Sequence, residues 1–287
     1  MKSYKLAFIT DEVTQNLTEA ITFAKMFGLD GVELRSVEDL PIDQIPAKKL
    51  QEYKQQLDAA GLPVCNLASS FFKCSITQAE SEFEKLNRLC DAADILGCQT
   101  IRGFVFLAED GNSAIPDMAQ SYFHRAAEIL HRRQKQLLIE ADPSVTTTNH
   151  RAIANFLQEL NEPAVGAIYD PGNDIYDPFQ EIPYPNGYCA ISPWLRHVHI
   201  KDAVKDGEGI RCVRIGSGQV DYPGLLSALK RDHYCGWLSL ETHYRVNAVI
   251  SDELMARPGG AVFSQGGWDA TAECVTALKR LLEEENP

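Results

Sequence analysis

The sequence predicts an α/β fold, a (β/α)8 TIM barrel that forms a single domain over residues 1–287. Eight short apolar runs can form strands, and each is followed by a helical pattern or a long loop at a spacing of roughly 25 to 40 residues. Glycines end three successive helical patterns, at Gly28, Gly61 and Gly97, so consecutive units are built alike. A chain of 287 residues, 45 % of them hydrophobic, suits one such barrel, which needs about 250 residues.

The predicted strands are short apolar runs bounded by turns. They cover residues 6–10, 31–35, 63–68, 100–104, 136–140, 165–169, 197–200 and 237–241. The main alternative is an open, doubly wound sheet. It is disfavoured because Thr10-Asp11-Glu12 follows the first strand, where the glycine-rich loop of a dinucleotide-binding fold would begin.

The predicted helices show apolar residues at helical spacing. The first covers residues 17–27, and the second begins at Pro46, a residue that suits a first helical turn. The helices cover residues 17–27, 46–60, 78–96, 116–133, 148–161, 223–232 and 269–284. Prolines predict an irregular loop with at most a short helix over residues 171–193. The longest loop, residues 243–268, is typical of a lid or a binding loop.

The composition excludes several classes of function. The net charge is −13, with 40 acidic and 27 basic residues and no basic run, which disfavours nucleic acid and anionic membranes as partners. No stretch approaches the roughly 18 apolar residues of a membrane span, and the N-terminus lacks a signal-peptide pattern. Eight cysteines without a C-x-x-C pair predict buried free thiols in a reducing compartment, so we expect a cytoplasmic protein.

Four of the later strands end in residues that could bind a metal. Glu140, Asp170 and Glu241 each follow an apolar run, and His197 and His199 lie two residues apart in the seventh strand. Because side chains alternate along a strand, Glu140, His199 and Glu241 can each be the last inward residue, and Asp170 fits the same place. In a barrel of this type the carboxyl ends of neighbouring strands meet at one face.

Three carboxylates and one imidazole at one point predict a divalent metal site. A strand that ends in an acid is often merely solvated, and an H-x-H pair alone is a weak signal, but four such ends on successive strands are rarely accidental. Hard oxygen ligands with one imidazole suit Mn²⁺, which we expect, with Mg²⁺, Co²⁺ or Zn²⁺ as alternatives. His197 lies one layer deeper and is expected to support the site.

Further residues lie where they could line a substrate pocket. Glu33 and Arg102 are near the ends of the second and fourth strands, and their alternative is a polar network inside the barrel. His243 follows the last strand and could contact substrate or be a solvated loop residue. The turn Gly216-Ser217-Gly218 could bind a phosphate through backbone N–H groups, but a tight turn before a helix is favoured.

These motifs resemble the xylose-isomerase-like TIM-barrel superfamily, and within it the sugar phosphate isomerase/epimerase group. The matching runs are Ile139-Glu140, Tyr169-Asp170-Pro171-Gly172-Asn173, His197-Val198-His199-Ile200-Lys201-Asp202, Ile215-Gly216-Ser217-Gly218-Gln219-Val220-Asp221-Tyr222 and Leu240-Glu241-Thr242. The resemblance covers essentially the whole chain. It is specific for the fold and the metal site and much less specific for the substrate.

The resemblance implies a metal-dependent sugar isomerase or epimerase. Glu140, Asp170, His199 and Glu241 would bind the ion, and Glu140 and Glu241 would also flank the substrate as an acid/base pair. The chemistry would proceed through an enediolate of a ketose-like or inosose-like carbonyl compound. A small carbohydrate is therefore the expected partner, and the family permits homo-oligomers without any feature of this sequence choosing one.

Two positions depart from the ketose 3-epimerase pattern. Asn173 stands where those enzymes tend to carry a substrate-binding histidine, and Lys201-Asp202 stands in place of an arginine-bearing loop. Both departures count against a free-ketohexose epimerase, and the Lys201-Asp202 pair resembles the inosose-processing and uncharacterised branches. Lys201 could bind a substrate oxygen or pair with Asp202, and the sequence does not decide between the two.

Three rival functions are carried forward. A dehydratase or lyase on a keto-polyol would share the enediolate and expel a β-hydroxyl group. A phosphodiesterase that resembles endonuclease IV would need more histidines, since the second and third strands offer only Glu33 and Asn66. A non-catalytic sugar-binding protein would have no need of Glu140 and Glu241.

Overall fold

The computed structural model describes residues 4–109 and 113–285 and confirms the predicted TIM barrel. The first and last residues of the predicted domain, together with residues 110–112, lie outside the described part. The strands, in chain order, are β1 (Lys5–Phe8), β2 (Val32–Leu34), β3 (Ser36–Val37), β4 (Leu40–Pro41), β5 (Val64–Phe71), β6 (Thr100–Gly103), β7 (Gln136–Ile139), β8 (Val165–Tyr169), β9 (Leu195–Ile200), β10 (Asp202–Asp206), β11 (Gly209–Val213) and β12 (Trp237–Leu240).

Eight parallel strands form the nearly closed barrel. They are hydrogen-bonded in the order β1-β12-β9-β8-β7-β6-β5-β2. A single parallel bridge between Ile9 and Glu33 joins the two outer strands, β1 and β2. The carboxyl ends of all eight strands therefore face one side, which is where the sequence analysis places the site.

The α-helices surround this sheet. In chain order they are α1 (Leu17–Met26), α2 (Ala47–Ala60), α3 (Ala79–Leu96), α4 (Ala119–Arg133), α5 (His150–Leu160), α6 (Pro171–Tyr176), α7 (Tyr188–Ile191), α8 (Tyr222–Arg231), α9 (Asp252–Ala256), α10 (Gly260–Ser264) and α11 (Gly267–Glu284). Side chains cap several of them: Asn16 accepts hydrogen bonds at the start of α1, and Asn149 does so at α5. Gly61 and Gly97 end α2 and α3 in the left-handed conformation, as predicted.

The loops contain more structure than the sequence predicted. The segment of residues 171–193, predicted as irregular with at most a short helix, contains α6, a π-helical turn (Pro183–Gly187), α7 and a 3-10 turn (Ser192–Trp194). Asp170 caps α6 through its carboxylate and Pro171 starts the helix, so the local chemistry favours a helix there. Two antiparallel hairpins, β3–β4 and β10–β11, were also missed.

Two further predictions concern the cysteines and the absence of a membrane span. All eight cysteines are free, but Cys189 and Cys235 are exposed and so are not the buried thiols that the sequence analysis expected. Among the described residues, none of the helices combines the length and the apolar character that crossing a membrane would require.

Candidate metal centre and cavity

Four side chains converge at the carboxyl ends of four neighbouring strands. Glu140 follows β7, Asp170 follows β8, His199 lies in β9 and Glu241 follows β12. Each offers one ligand atom, and these atoms all lie within 4.8 Å of one another. All four side chains are buried, none more than 2 % exposed. The structure thus brings together the four residues that the sequence analysis predicted as ligands.

Glu33 holds His199 in place from the opposite side. Nε2 of His199 lies 3.1 Å from Oε1 of Glu33, and Nδ1 faces the cluster, 2.6 Å from Oε1 of Glu140. Two further side chains contact Glu33. Nε2 of His197 lies 3.0 Å from Oε2 of Glu33, and Nδ2 of Asn66 donates to Oε1 of Glu33 at 2.7 Å. A carboxylate on one ring nitrogen directs the other nitrogen toward the cluster, as in many metal-binding histidines.

This arrangement corrects the prediction for Glu33. The sequence analysis placed it among the substrate-binding residues, with a polar network inside the barrel as the alternative. Glu33 is fully buried and is absent from the cavity lining, so the structure supports the alternative. The reason is depth: Glu33 and Arg35 point to the same face of the strand, and Arg35 is the one nearer its carboxyl end. His197 supports Glu33 from below, as expected.

Arg102 joins the two glutamates. Its NH1 group donates to Oε2 of Glu140 at 2.8 Å and to Oε1 of Glu241 at 3.0 Å, and its Nε donates to the carbonyl of Ser69. The guanidinium also lies 5.2 Å from the ring of Phe104. Arg102 lines the cavity, as predicted, but its contacts within the described residues show it fixing the distance between the two glutamates.

Lys201 carries a buried ammonium group at the floor of the cavity. Its Nζ lies 2.7 Å from Oδ2 of Asp170 and 3.0 Å from Oε2 of Glu241, and it donates to Oδ1 of Asn173 at 3.2 Å. The predicted alternative, a pair with Asp202, is wrong. Asp202 points away and accepts hydrogen bonds from the backbone N–H groups of Ala203, Gly216, Gly218 and Val220.

The same contacts of Asp202 decide the role of the Gly216-Ser217-Gly218 turn. Two of its N–H groups already bind the Asp202 carboxylate, at 2.9 and 2.8 Å. The turn is therefore a tight connection before α8, as favoured from sequence, and these two donors are not available for a phosphate. Gly218 is required by close approach, because a Cβ atom there would lie 2.1 Å from Oδ1 of Asp202.

The charges of the cluster shift its protonation equilibria. Burial opposes ionisation of Glu241, but Lys201 and Arg102 outweigh burial and hold the pKa of Glu241 well below its usual value. Burial also disfavours the charged form of His199, yet Glu33 and Glu140 outweigh it and raise the pKa of His199. At Asp170 burial dominates and raises the pKa to about 6, because Glu140 and Glu241 offset much of the effect of Lys201.

Arg35 is the main site residue that the sequence analysis missed. Its guanidinium donates to Asp11 and Glu12 after β1 and to Oε1 of Glu241 at 2.9 Å, and it lies 4.7 Å from the ring of Phe263 in α10. Arg35 therefore connects Glu241, a candidate catalytic residue, to α10 in the long loop after β12. The sequence did contain a signal for Arg35. Side chains two residues apart along a strand point to the same face, so if Glu33 points into the barrel, Arg35 does too.

His243 lines the floor of the cavity, where it could contact a substrate. It is 7 % exposed, so the alternative of a solvated loop histidine is wrong. Its Nε2 lies 3.3 Å from Oε1 of Glu12, while its buried Nδ1 has no hydrogen-bond partner among the described residues. Burial, reinforced by Lys201, holds the pKa of His243 well below its usual value, which keeps the ring neutral.

A second buried pair positions Asp170 and was not predicted. Nε2 of His150 accepts a hydrogen bond from the backbone N–H of Asp170 at 3.1 Å, and its Nδ1 lies 2.7 Å from Oδ2 of Asp174. Because Nε2 accepts, Nδ1 is the protonated nitrogen and donates to Asp174. The pair fixes the backbone at the point where β8 passes into α6.

Within the part of the chain that the structure describes, three groups of buried side chains have the composition of a metal site, and the Glu140–Asp170–His199–Glu241 group fits best. In a second group, Glu33 already takes the Nε2 atoms of both His197 and His199. In the third, the guanidinium of Arg35 already lies between Glu12 and Glu241. The four-residue group instead offers three carboxylates, whose hard oxygens suit a divalent cation, and Nδ1 of His199 points into it, 2.6 Å from Oε1 of Glu140.

The cluster opens into one large cavity of about 800 Å³. Its floor contains Arg35, Arg102, Glu140, Asn173, Lys201, Glu241 and His243. Its walls come from the β3–β4 and β10–β11 hairpins and from residues 248–260 of the long loop after β12. That loop was predicted as a lid or binding loop, and its position over the site agrees with that prediction.

The comparisons with known proteins agree with the fold. The sequence profile of the xylose isomerase-like TIM barrel family matches residues 21–266. No curated protein matches the chain.

Solved structures share the fold at low sequence identity. D-allulose 3-epimerase from Methylomonas sp., in complex with D-allulose, superposes with a TM-score of 0.71 at 17 % identity, covering 96 % of both chains. The probable 3-DHS dehydratase AsbF of Bacillus anthracis gives 0.73 at 16 %, covering 96 % of this chain and 98 % of that one. A xylose isomerase-like TIM barrel protein from Mycobacterium smegmatis, in complex with magnesium, gives 0.66 at 14 %, covering 97 % of each chain.

Proposed function

The chain belongs to the xylose isomerase-like TIM barrel family, and from this premise we propose that it is a divalent-metal-dependent isomerase or epimerase. Its substrate is a small polyhydroxylated carbonyl compound. The observation that carries the proposal is a cluster of four buried side chains whose ligand atoms lie within 4.8 Å of one another: Glu140, Asp170, His199 and Glu241. Two of them, Glu140 and Glu241, line the floor of the cavity.

Those four residues would hold the ion. A bound divalent ion would polarise the substrate carbonyl and the adjacent hydroxyl group, which stabilises the negative charge of an enediolate. Mn²⁺ is our first choice, since hard oxygen ligands dominate the set, and Mg²⁺, Co²⁺ and Zn²⁺ also suit it.

The glutamates would move the proton. A carboxylate oxygen of either Glu140 or Glu241 removes the proton on the carbon next to the carbonyl, and the other returns it to the opposite face or to the neighbouring carbon. Arg102 donates to both carboxylates and so keeps them on either side of one point. The lid segment, residues 248–260, covers the site and limits the access of water.

A dehydratase is the second candidate, and Lys201 favours it. Expulsion of a β-hydroxyl group needs a proton donor near the leaving oxygen. Lys201 lines the cavity, and its ammonium, which lies 3.0 Å from Oε2 of Glu241, would donate a hydrogen bond to the leaving oxygen and offset the charge that develops on it. Asn173 accepts from the same ammonium and could orient it or bind a substrate hydroxyl.

Solvent-deuterium exchange tests the proposal. The protein is incubated in D₂O with ketoses, inososes and hydroxypyruvate, with Mn²⁺ and after chelation, and C–H exchange is followed by NMR. We expect exchange that depends on the metal and is lost in Glu241→Gln, with the exposed Glu273→Gln as control. An isomer as product assigns an isomerase or epimerase, and an unsaturated product assigns a dehydratase. If no compound exchanges in the presence of metal, the enediolate mechanism is wrong.

A further inference from the structure

The cavity is larger than a single sugar ring requires. Its volume of about 800 Å³ lies near the upper end of the roughly 300–1,000 Å³ found for pockets that enclose drug-sized ligands. The proposed chemistry needs only the floor, where Glu140 and Glu241 line the cavity and where the four-residue cluster that contains them lies. The outer part of the cavity therefore has space for a further portion of the substrate, and this inference rests on the proposed function.

The floor and the outer wall differ in chemistry. The floor is formed by residues at strand ends, and it presents charged and hydrogen-bonding groups. The outer wall is contributed by loops, and many of its residues are apolar. From the lid these are Ala248, Val249, Ile250, Met255, Ala256 and Pro258. Phe104 and Leu107 after β6, Ile210 in β11 and Ile42 after β4 continue the same surface.

The ionic groups of the outer wall are largely neutralised. Lys73 lies 2.7 Å from Asp142, and Arg211 lies 2.9 Å from Asp206. The lid segment has three charged residues, Asp252, Glu253 and Arg257, and the two that line the cavity, Asp252 and Arg257, are opposite in sign. Among the described residues the outer wall thus offers no cationic cluster of the kind that binds a phosphate or carboxylate group.

We propose that the substrate is a polyhydroxylated carbonyl compound with an uncharged apolar substituent, of the glycoside type, whose aglycone lies against the lid. The polar portion contacts the floor, where hydrogen-bonding groups and the proposed metal ligands lie. The substituent contacts Val249, Ile250 and Met255 and removes apolar surface from water on both partners.

Binding of matched glycosides tests this without turnover. Methyl and phenyl glycosides of glucose, galactose and xylose share one polar portion and carry no carbonyl group, so isothermal titration calorimetry with the Mn²⁺-loaded protein reports recognition alone. From the apolar area that a phenyl ring buries, we expect the phenyl glycoside to bind about 10- to 100-fold more tightly than its methyl counterpart for at least one sugar. Glucose 6-phosphate serves as the anionic probe.

The long loop after β12, residues 243–268, contains a matched pair of exposed valines for the variants. Val249 is 74 % exposed and lines the cavity, whereas Val262 is 69 % exposed and does not. Val249→Asp should remove most of the preference for the phenyl glycoside while the methyl glycoside binds as before. Val262→Asp should leave both affinities unchanged. This control separates contact with the ligand from a general effect of a new charge on the loop of residues 243–268.

The outcomes separate this inference from the proposed function. The inference is overturned if phenyl and methyl glycosides bind within about twofold, if none binds at millimolar concentration, or if the phosphate binds more tightly. It is also overturned if both aspartate variants act alike. Metal-dependent exchange on free ketoses with no phenyl preference would leave the proposed function standing alone. A phenyl preference without any exchange would support the outer site and contradict the enediolate mechanism.

Discussion

Glu33 is the residue whose effect on the metal centre can be measured most directly. It lies 3.1 Å from Nε2 of His199 and makes no contact with the cavity, so it can act on an ion only through that ring. Glu33→Gln should weaken Mn²⁺ binding about 10- to 100-fold, as is typical when the carboxylate behind a ligating histidine is lost. Competition with a fluorescent chelator measures the affinity.

The control for Glu33 is Glu82→Gln. Glu82 is also a buried glutamate, 7 % exposed, but it accepts from the backbone of Phe72 and pairs with Lys85, away from the site. An unchanged Mn²⁺ affinity in Glu33→Gln would show that Glu33 is only part of the barrel packing.

His243 predicts a pH dependence of stability. The pKa of His243 in the folded protein is well below 6.5. Below pH 6.5 this imidazole therefore binds a proton in the unfolded chain but stays neutral in the folded protein, so the free energy of unfolding decreases as the pH falls. Between pH 6.5 and pH 5 this loss is about 2 kcal/mol at most for one group. His243→Asn should therefore lose less stability than the wild type over this range, measured by urea unfolding with chelator present.

Two features keep that measurement specific. The other titrating groups are common to both proteins, so the difference between the two curves isolates His243. His131→Asn, at a side chain that is 56 % exposed, controls for loss of an imidazole as such. Parallel curves for wild type and His243→Asn would contradict the depressed pKa.

At this scale the sequence predicted the ligand set but not its surroundings. Glu140, Asp170, His199 and Glu241 each end or occupy an apolar run, and parity along one strand is enough to place them. Arg35 contacts Glu241, 206 positions away, across strands that are not neighbours in sequence. Such contacts depend on how the barrel closes, which parity along a single strand does not determine. Lys201 was found, but its pairing with Asp170 and Glu241 was not among the alternatives considered, for the same reason.

At the scale of elements, Asp202 holds the β10–β11 hairpin to the start of α8. Its carboxylate accepts four backbone hydrogen bonds, from Ala203, Gly216, Gly218 and Val220. Asp202→Asn replaces an acceptor with a donor that faces these N–H groups, which leaves some of them unpaired. We expect a loss of about 1–3 kcal/mol in the free energy of unfolding and faster amide exchange at residues 216–220.

The control lies in the same hairpin. Asp206 is exposed and pairs with Arg211, so Asp206→Asn should leave the free energy of unfolding nearly unchanged. Equal effects of the two changes would show that the four backbone bonds to Asp202 contribute little.

The hairpin itself shows what the sequence pattern could and could not predict among the elements. The barrel strands and most helices are long or periodic enough to be recognised, and Gly61 and Gly97 mark two helix ends correctly. The Asp206-Gly207 pair is typical of a hairpin turn and could have predicted the β10–β11 hairpin. Residues 171–193 were misjudged because five prolines in this segment suggested a loop, whereas Asp170 and Pro171 start a helix.

At the scale of the whole molecule, the proposed ligands tie the barrel together. They come from β7, β8, β9 and β12, which are consecutive in the sheet order, so one ion would cross-link half of the barrel strands. An ion that binds the folded protein in preference to the unfolded chain stabilises it by mass action. At a metal concentration about 100 times the dissociation constant, this stabilisation is about 2.7 kcal/mol.

Thermal unfolding of the chelated protein with increasing Mn²⁺ measures this linkage. We expect the Tm to rise steadily with the logarithm of metal concentration above the dissociation constant, because each tenfold increase adds about 1.4 kcal/mol. Asp170→Asn should flatten this dependence, since it removes a ligand from one of the four strands. Asp177→Asn is the nearby control: its carboxylate accepts from Thr148 and from the backbone N–H of Glu181 and lies outside the four-residue group, so the slope should persist. A Tm independent of Mn²⁺ in the wild type would mean that the cluster does not bind the ion in the folded state.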